Sequence, residues 1–192
     1  MTQFDIYGVA VFAAVAIIAV TFHEAAHAVV ALWLGDDTAR RLGRVTFNPL
    51  KHIDPVGTVL LPALLYLIHA PFLFGYAKPV PVDWSKLRRP KRDMMLVAAA
   101  GPLANVLLAV LFASTGILLL RSGTTIPFWL DEALGTGIGL NLWLAVFNLI
   151  PIPPLDGSKV VAGFLPDAIA ARFLGLGRRN RPAAPPGPTD VA

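Results

Sequence analysis

The sequence predicts an all-α polytopic membrane protein, and its composition is the first reason. Of its 192 residues, 56% are hydrophobic and 15% are charged, whereas soluble domains usually carry about 25% charged residues. Four stretches are almost free of charge, and each is about as long as the roughly 20 helical residues that cross a bilayer core; they cover residues 6–34, 57–76, 94–120 and 133–155. The chain has no cysteine, which excludes disulfides and thiolate metal ligands.

The distribution of lysine and arginine predicts how these segments are oriented. Ten basic residues lie within residues 35–93, and five more follow residue 156. The loop between the third and fourth apolar segments has only Arg121. Because basic residues accumulate on the cytoplasmic side, residues 35–93 and the C-terminus are predicted inside, and the N-terminus and residues 121–132 outside.

This orientation requires that residues 57–76 do not cross the membrane, because basic residues flank the segment on both sides. Pro62 and Pro71 interrupt it, as expected for irregular backbone covered by protein. We therefore predict three transmembrane helices plus a re-entrant segment, with a fourth span as the alternative. Residues 77–83 are proline-rich and predict a short extended element. This element is either an edge strand that accepts an extended substrate or a simple linker.

The net charge of +4 does not indicate nucleic acid binding. The basic residues lie between apolar segments, where lipid head groups are their natural partners. We expect a lipid bilayer as a partner, and no nucleic acid.

A five-residue HExxH motif, His23 to His27, lies inside the first apolar segment. Helical residues four apart share a face, so both imidazoles can reach one metal ion, with Glu24 beside a metal-activated water. Such a motif also recurs by chance on surface helices. Within a membrane, however, each ionisable group costs about 2.5–3.5 kcal/mol, and a bound metal compensates that cost. We predict one zinc ion per chain.

A catalytic zinc needs a third protein ligand and an open position. The candidates are two histidines and seven acids: His52, His69, Asp54, Asp83, Asp93, Asp131, Glu132, Asp156 and Asp167. Asp156 stands out because it follows a proline-stiffened turn at the end of an apolar segment, on the side that His27 also approaches. Asn105 is predicted to make a helix–helix hydrogen bond, and contact with the site is the alternative.

HEAAH in an apolar helix, followed much later by NLIPIPPLDG, resembles the site-2 protease family of intramembrane metalloproteases. The stretches GRVTFNPLKHIDPVGT, GYAKPVPV and AAAGPLANVLLA are similar to a compact prokaryotic branch, and the resemblance covers about residues 8–166. It implies hydrolysis of transmembrane protein substrates near the cytoplasmic face of a prokaryotic cell membrane. It also implies His23, His27 and Asp156 as zinc ligands, Glu24 as the catalytic base, and Asn148 as a residue that contacts substrate or stabilises the oxyanion.

The predicted domain spans residues 1–176, and residues 177–192 are predicted to be a disordered proline-rich tail. Similar proteins usually have a further apolar helix after the LDG segment, so the sequence leaves open that a partner or a second copy completes the site. Two other functions stay open. An inactive metal-binding scaffold fits the missing helix but not the intact Glu24. A metal transporter usually shows repeated helices, and this sequence has no repeat.

Overall fold

The described part of the chain, residues 6–70 and 75–175 of a computed structural model, is built from helices and contains no β-strand. Seven α-helices follow one another: α1 (Ile6–Trp33), α2 (Thr38–Arg41), α3 (Leu61–Leu67), α4 (Pro90–Arg121), α5 (Phe128–Leu149), α6 (Asp156–Phe164) and α7 (Asp167–Gly175). The predicted all-α class is confirmed. The predicted tail, residues 177–192, lies outside the described residues.

Helices α1, α4 and α5 pack against one another, and α6 packs against α4. The contacts depend on small side chains that let the helix backbones come close. On α1 these are alanines without exposed surface: Ala19, Ala25, Ala28 and Ala31. On α5, Gly137 leaves room for the ring of Phe112 on α4, which any added Cβ would meet at 2.6 Å. This close packing holds the polar groups on the three helices at fixed separations.

Two helices in the described residues are long and apolar enough to cross a membrane, Tyr7–Trp33 and Pro90–Arg121. Helix α5 has the length of a span, with 22 residues. It is not one of these two helices, and it carries acids at its start and two asparagines further along, Asp131, Glu132, Asn141 and Asn148.

The two ends of residues 57–76 meet in space. The backbone N–H of Tyr76 donates to the carbonyl of Gly57 at 3.0 Å, and the Thr58 hydroxyl donates to the Tyr76 carbonyl at 2.8 Å. Between them, a π-helical turn (Pro55–Leu60) runs into α3. Together these 13 helical residues, Pro55–Leu67, extend about 20 Å, less than the roughly 30 Å of a bilayer core. The two described ends of this segment therefore lie side by side, and its helical part is shorter than a bilayer core is thick.

The predicted extended element, residues 77–83, lies in a stretch that is neither helix nor strand, and it belongs to no sheet in the described chain. Pro79 and Pro81 lack the N–H groups that a continuous ladder needs. Other parts of the protein hold the segment instead. The buried Arg44 donates to the Lys78 carbonyl at 2.6 Å, and the buried Asp36 accepts from the Asp83 N–H at 2.7 Å.

Candidate metal centre

The two histidines of the HExxH motif lie on the same face of α1 and are both buried. Their Nε2 atoms are 3.1 Å apart, and the rings meet edge to face. Because helical residues four apart stack one turn above another, His23 and His27 point their ring nitrogens into one space between α1, α4 and α6.

Asp156 comes to the histidines from the opposite end of the sequence. Helix α5 ends at Leu149, and a proline-rich turn leads directly into α6, whose first residue is Asp156. The next residue, Gly157, is pressed against the Leu149 carbonyl, and any Cβ there would overlap it. Only glycine therefore allows α6 to start this close to the end of α5. The Asp156 Oδ2 lies 3.2 Å from His23 Nε2 and 3.1 Å from His27 Nε2.

These three ligand atoms form a nearly equilateral triangle that suits a tetrahedral ion. Zinc bonds of about 2.0–2.2 Å at tetrahedral angles separate ligand atoms by about 3.3–3.5 Å, close to the sides of this triangle. Gly101 of α4 faces the same space, and an added Cβ would press against both Nε2 atoms. Within the part of the chain that the structure describes, this is the group of side chains that could hold a metal ion.

Each of the three side chains has a second partner that fixes its orientation. His23 Nδ1 is 2.6 Å from Asn105 Oδ1, and His27 Nδ1 is 2.7 Å from the Val97 carbonyl. These oxygens only accept hydrogen bonds, so both Nδ1 atoms carry the proton and both Nε2 atoms present lone pairs to a metal. Lys159 Nζ donates to Asp156 Oδ1 at 2.9 Å, leaving Oδ2 to face the histidines.

The electrostatics of the site keep Asp156 ionised. Burial opposes ionisation, but the ammonium of Lys159, which donates to the same carboxylate, lowers the pKa of the Asp156 carboxyl. A negatively charged oxygen thus lies beside two neutral nitrogens, which is a donor set that zinc prefers.

A cavity of about 210 Å³ opens beside the triangle. Glu24 lines it, and its Oε2 accepts a hydrogen bond of 2.7 Å from the Val80 N–H of the extended segment. Asn148 lines the same cavity, while its amide nitrogen donates to the carbonyl of Leu144 in its own helix at 3.0 Å. The cavity therefore brings together both histidines, the glutamate, the aspartate and the asparagine that the sequence singled out.

The other candidates for the third ligand lie elsewhere. His52 is buried and its Nε2 is 2.9 Å from the Thr46 carbonyl, and Asp54 accepts from the first amides of the π-helical turn. Asp93 accepts from the Arg89 N–H at the start of α4. Asp167 pairs with Lys91. None of the described residues among these joins the triangle.

The predicted helix–helix hydrogen bond of Asn105 is confirmed, since its Nδ2 donates to Asn141 of α5 at 2.8 Å. The alternative, contact with the site, also holds. Lys159 was not predicted as part of the site, although its position three residues after Asp156 on a helix was a usable signal.

These features define a class of protein: a helical metalloenzyme in which an HExxH helix and a distant carboxylate meet beside a glutamate-lined cavity.

Comparison with known proteins gives the same class. The chain is 40% identical over 164 residues to "Putative zinc metalloprotease YwhC" of Bacillus subtilis (strain 168), which covers 82% of this chain and 70% of that relative. No family model and no solved structure matches the chain.

Two further relatives have names of the same form. Rip2 of Mycolicibacterium smegmatis is 34% identical over 142 residues, which span 70% of this chain and 49% of the relative. MJ0611 of Methanocaldococcus jannaschii is 43% identical over 65 residues, 34% of this chain and 31% of the relative. The chain belongs to the site-2 protease-like family and is a zinc metalloprotease.

Proposed function

We propose that this zinc metalloprotease is an intramembrane endopeptidase that hydrolyses transmembrane protein substrates near the cytoplasmic face of a prokaryotic cell membrane. The observation that carries the proposal is the position of the histidine pair within α1, one of the two helices apolar enough to span. His27 and His23 precede the end of α1 at Trp33 by six and ten residues. At 1.5 Å per residue, the site lies about 9–15 Å inside that end.

In this proposal His23, His27 and Asp156 hold one zinc ion. When bound, zinc polarises the scissile carbonyl and lowers the pKa of a coordinated water towards about 7. Glu24 takes the proton of the attacking water and delivers it to the leaving amine. The hydrogen bond from Val80 holds the Glu24 carboxylate at the cavity.

Asn148 is proposed to contact the substrate carbonyl or to stabilise the oxyanion. Its amide is well suited because a side-chain N–H that is already in place can stabilise developing negative charge without rearrangement. Its lining position in the same cavity as Glu24 supports this role.

The membrane arrangement in this proposal has α1, α4 and α5 as three spans and residues 57–76 as a re-entrant hairpin. The meeting of Gly57 with Tyr76 supports the hairpin. The outward face of α4 supports contact with lipid, because it carries large apolar side chains that are more than half exposed: Leu103, Leu107, Val110, Leu111, Ile117, Leu118 and Leu120. A partner protein or a second copy remains a further proposed component of the closed site.

Reporter fusions test this topology. Because basic residues flank the hairpin on both sides, fusions after residue 45 and after residue 90 should both report the cytoplasm. A fusion near residue 126 should report the outside. Opposite signals from the first two fusions would show that residues 57–76 span the membrane.

Replacing Asp156 with alanine tests the third ligand. Loss of one of three protein ligands should weaken zinc binding at least about tenfold, and cleavage of a single-span substrate in liposomes should fall with it. Zinc affinity is measured by competition with a chromophoric chelator. The matched control is Asp167→Ala, an exposed aspartate on α7. Unchanged zinc affinity in the Asp156→Ala protein would exclude this residue as a ligand.

A further inference from the structure

Two buried asparagines form a hydrogen-bonded chain that ends at the histidine pair. Asn105 on α4 and Asn141 on α5 are both 0% exposed. The Nδ2 of Asn105 donates to Asn141 Oδ1 at 2.8 Å and to the Ala19 carbonyl at 3.2 Å. The Nδ2 of Asn141 donates to the Gly137 carbonyl at 2.8 Å. The chain thus joins α1, α4 and α5 at the level of His23.

The direction of every hydrogen bond in this chain is fixed. Backbone carbonyls only accept, so the carbonyls of Ala19 and Gly137 determine which end of each amide carries nitrogen. With its nitrogen held in this way, Asn105 presents its oxygen to His23 Nδ1 at 2.6 Å. The imidazole must then carry its proton on Nδ1, and its Nε2 is left free to bind a metal.

We propose that Asn141 is a positioning residue of the zinc site and that it acts on His23 through Asn105. Its Oδ1 accepts one of the two Asn105 N–H groups and so helps to hold that amide in the orientation that His23 needs. This inference rests on the proposed role of His23 as a zinc ligand.

The consequence of losing Asn141 follows from the chemistry of the amide. An Asn105 side chain that rotates by half a turn brings an N–H group to His23 Nδ1, which must then be unprotonated. The ring proton moves to Nε2, where zinc would bind. Only the Ala19 carbonyl, at 3.2 Å, would still oppose that rotation.

Buried asparagines can also stabilise a membrane protein only by joining helices. That role would affect the unfolding temperature and leave the zinc affinity of the folded protein unchanged. Two substitutions separate these roles. Asn141→Leu removes the acceptor for Asn105. Asn141→Asp keeps an oxygen that can accept from Asn105 Nδ2, and its buried carboxyl group is expected to stay protonated, so that its O–H can replace the donor to the Gly137 carbonyl.

The test uses the full chain in detergent, with zinc affinity measured by chelator competition. Outer partners of metal-binding histidines typically contribute about 10–100-fold in affinity. We expect Asn105→Leu to lose that much, Asn141→Leu to lose about tenfold, and Asn141→Asp to stay within about threefold of wild type. The control is Thr115→Val on the same helix as Asn105. The Thr115 hydroxyl donates to the Leu111 carbonyl of its own helix, so the zinc affinity of this variant should not change.

A second readout is the proton on His23 Nδ1 in the zinc-loaded protein. In ¹⁵N-labelled protein this proton should be protected from exchange with water, and its signal is assigned by its loss in His23→Gln. The signal should exchange faster in Asn105→Leu and Asn141→Leu than in Asn141→Asp. If Asn141→Leu does not fold, Asn141→Ala takes its place with the same expected result.

Two outcomes would overturn the inference. One is a folded Asn141→Leu or Asn141→Ala protein that binds zinc as tightly as wild type and keeps the protected signal. The other is an Asn141→Asp protein that loses as much affinity as the leucine variant. A wild-type protein that binds zinc through His23 but cuts no transmembrane substrate would contradict the proposed intramembrane cleavage, and the zinc-affinity test of Asn141 would still give its answer.

Discussion

Substituting Glu24 with glutamine should reduce cleavage by at least about 10²–10⁴-fold while zinc binding stays at the wild-type level. Glutamine keeps the size of the side chain, and its amide oxygen can still accept the hydrogen bond from the Val80 N–H. What it loses is the ability to take a proton from the attacking water. Some residual cleavage is expected, because zinc still polarises the scissile carbonyl.

The measurement compares the cleavage rate and zinc content of both proteins in liposomes with a single-span substrate. Glu132→Gln is the matched control, since Glu132 lies near the opposite end of α5 from the site. Equal cleavage rates for Glu24→Gln and wild type would refute the role of Glu24 as base. An inactive scaffold or a metal transporter predicts something else: a wild type that binds metal and has no cleavage to lose.

Gly101→Ala should weaken zinc binding strongly without unfolding the apoprotein. The added methyl group would press against the Nε2 atoms of both His23 and His27, in the space that a metal ion needs. In the apoprotein the two histidine side chains can move away from the methyl group, but zinc binding needs them in place. The overpacking cost of about 1–3 kcal/mol therefore becomes roughly a 5–150-fold loss of zinc affinity. The helix itself should tolerate alanine well, because alanine favours a helix over glycine by about 1 kcal/mol.

Zinc affinity and helix content of the Gly101→Ala protein check this expectation, and a glycine on the same helix provides the control. At Gly116 the nearest atom to an added Cβ is a Leu134 methyl at 3.8 Å, an ordinary contact. Gly116→Ala should therefore bind zinc normally. A Gly101→Ala protein with wild-type zinc affinity would mean that the ion lies elsewhere than between the two Nε2 atoms.

Local patterns in the sequence predicted much of this architecture. The all-α class followed from long apolar stretches, and the convergence of His23 with His27 followed from helical spacing. The proximity of Asp156 was expected from its position after a stiff turn, 129 residues beyond His27. That residues 57–76 turn back within the membrane stays a prediction from the flanking basic residues, although Gly57 and Tyr76 at its two ends are in contact.

Features that depend on how helices cross could not be predicted from local patterns. The space in front of Gly101 exists only because α4 crosses α1 at the level of the histidines. The hydrogen bond between Glu24 and the Val80 N–H joins residues 56 positions apart. No periodicity in the sequence indicates Asn141, because its importance lies in the orientation of another amide.

Mapping the scissile bond shows whether this zinc metalloprotease cuts substrates inside the bilayer, as we propose. The purified protein is reconstituted in liposomes with a panel of single-span substrates, and the products are identified by mass spectrometry. We expect cuts within the apolar span, about 9–15 Å from its cytoplasmic end, that stop on chelation and resume when zinc is added. Zinc-loaded wild-type protein that leaves the whole panel uncut, or that cuts only outside the apolar spans, would show that it is not an intramembrane endopeptidase of these substrates.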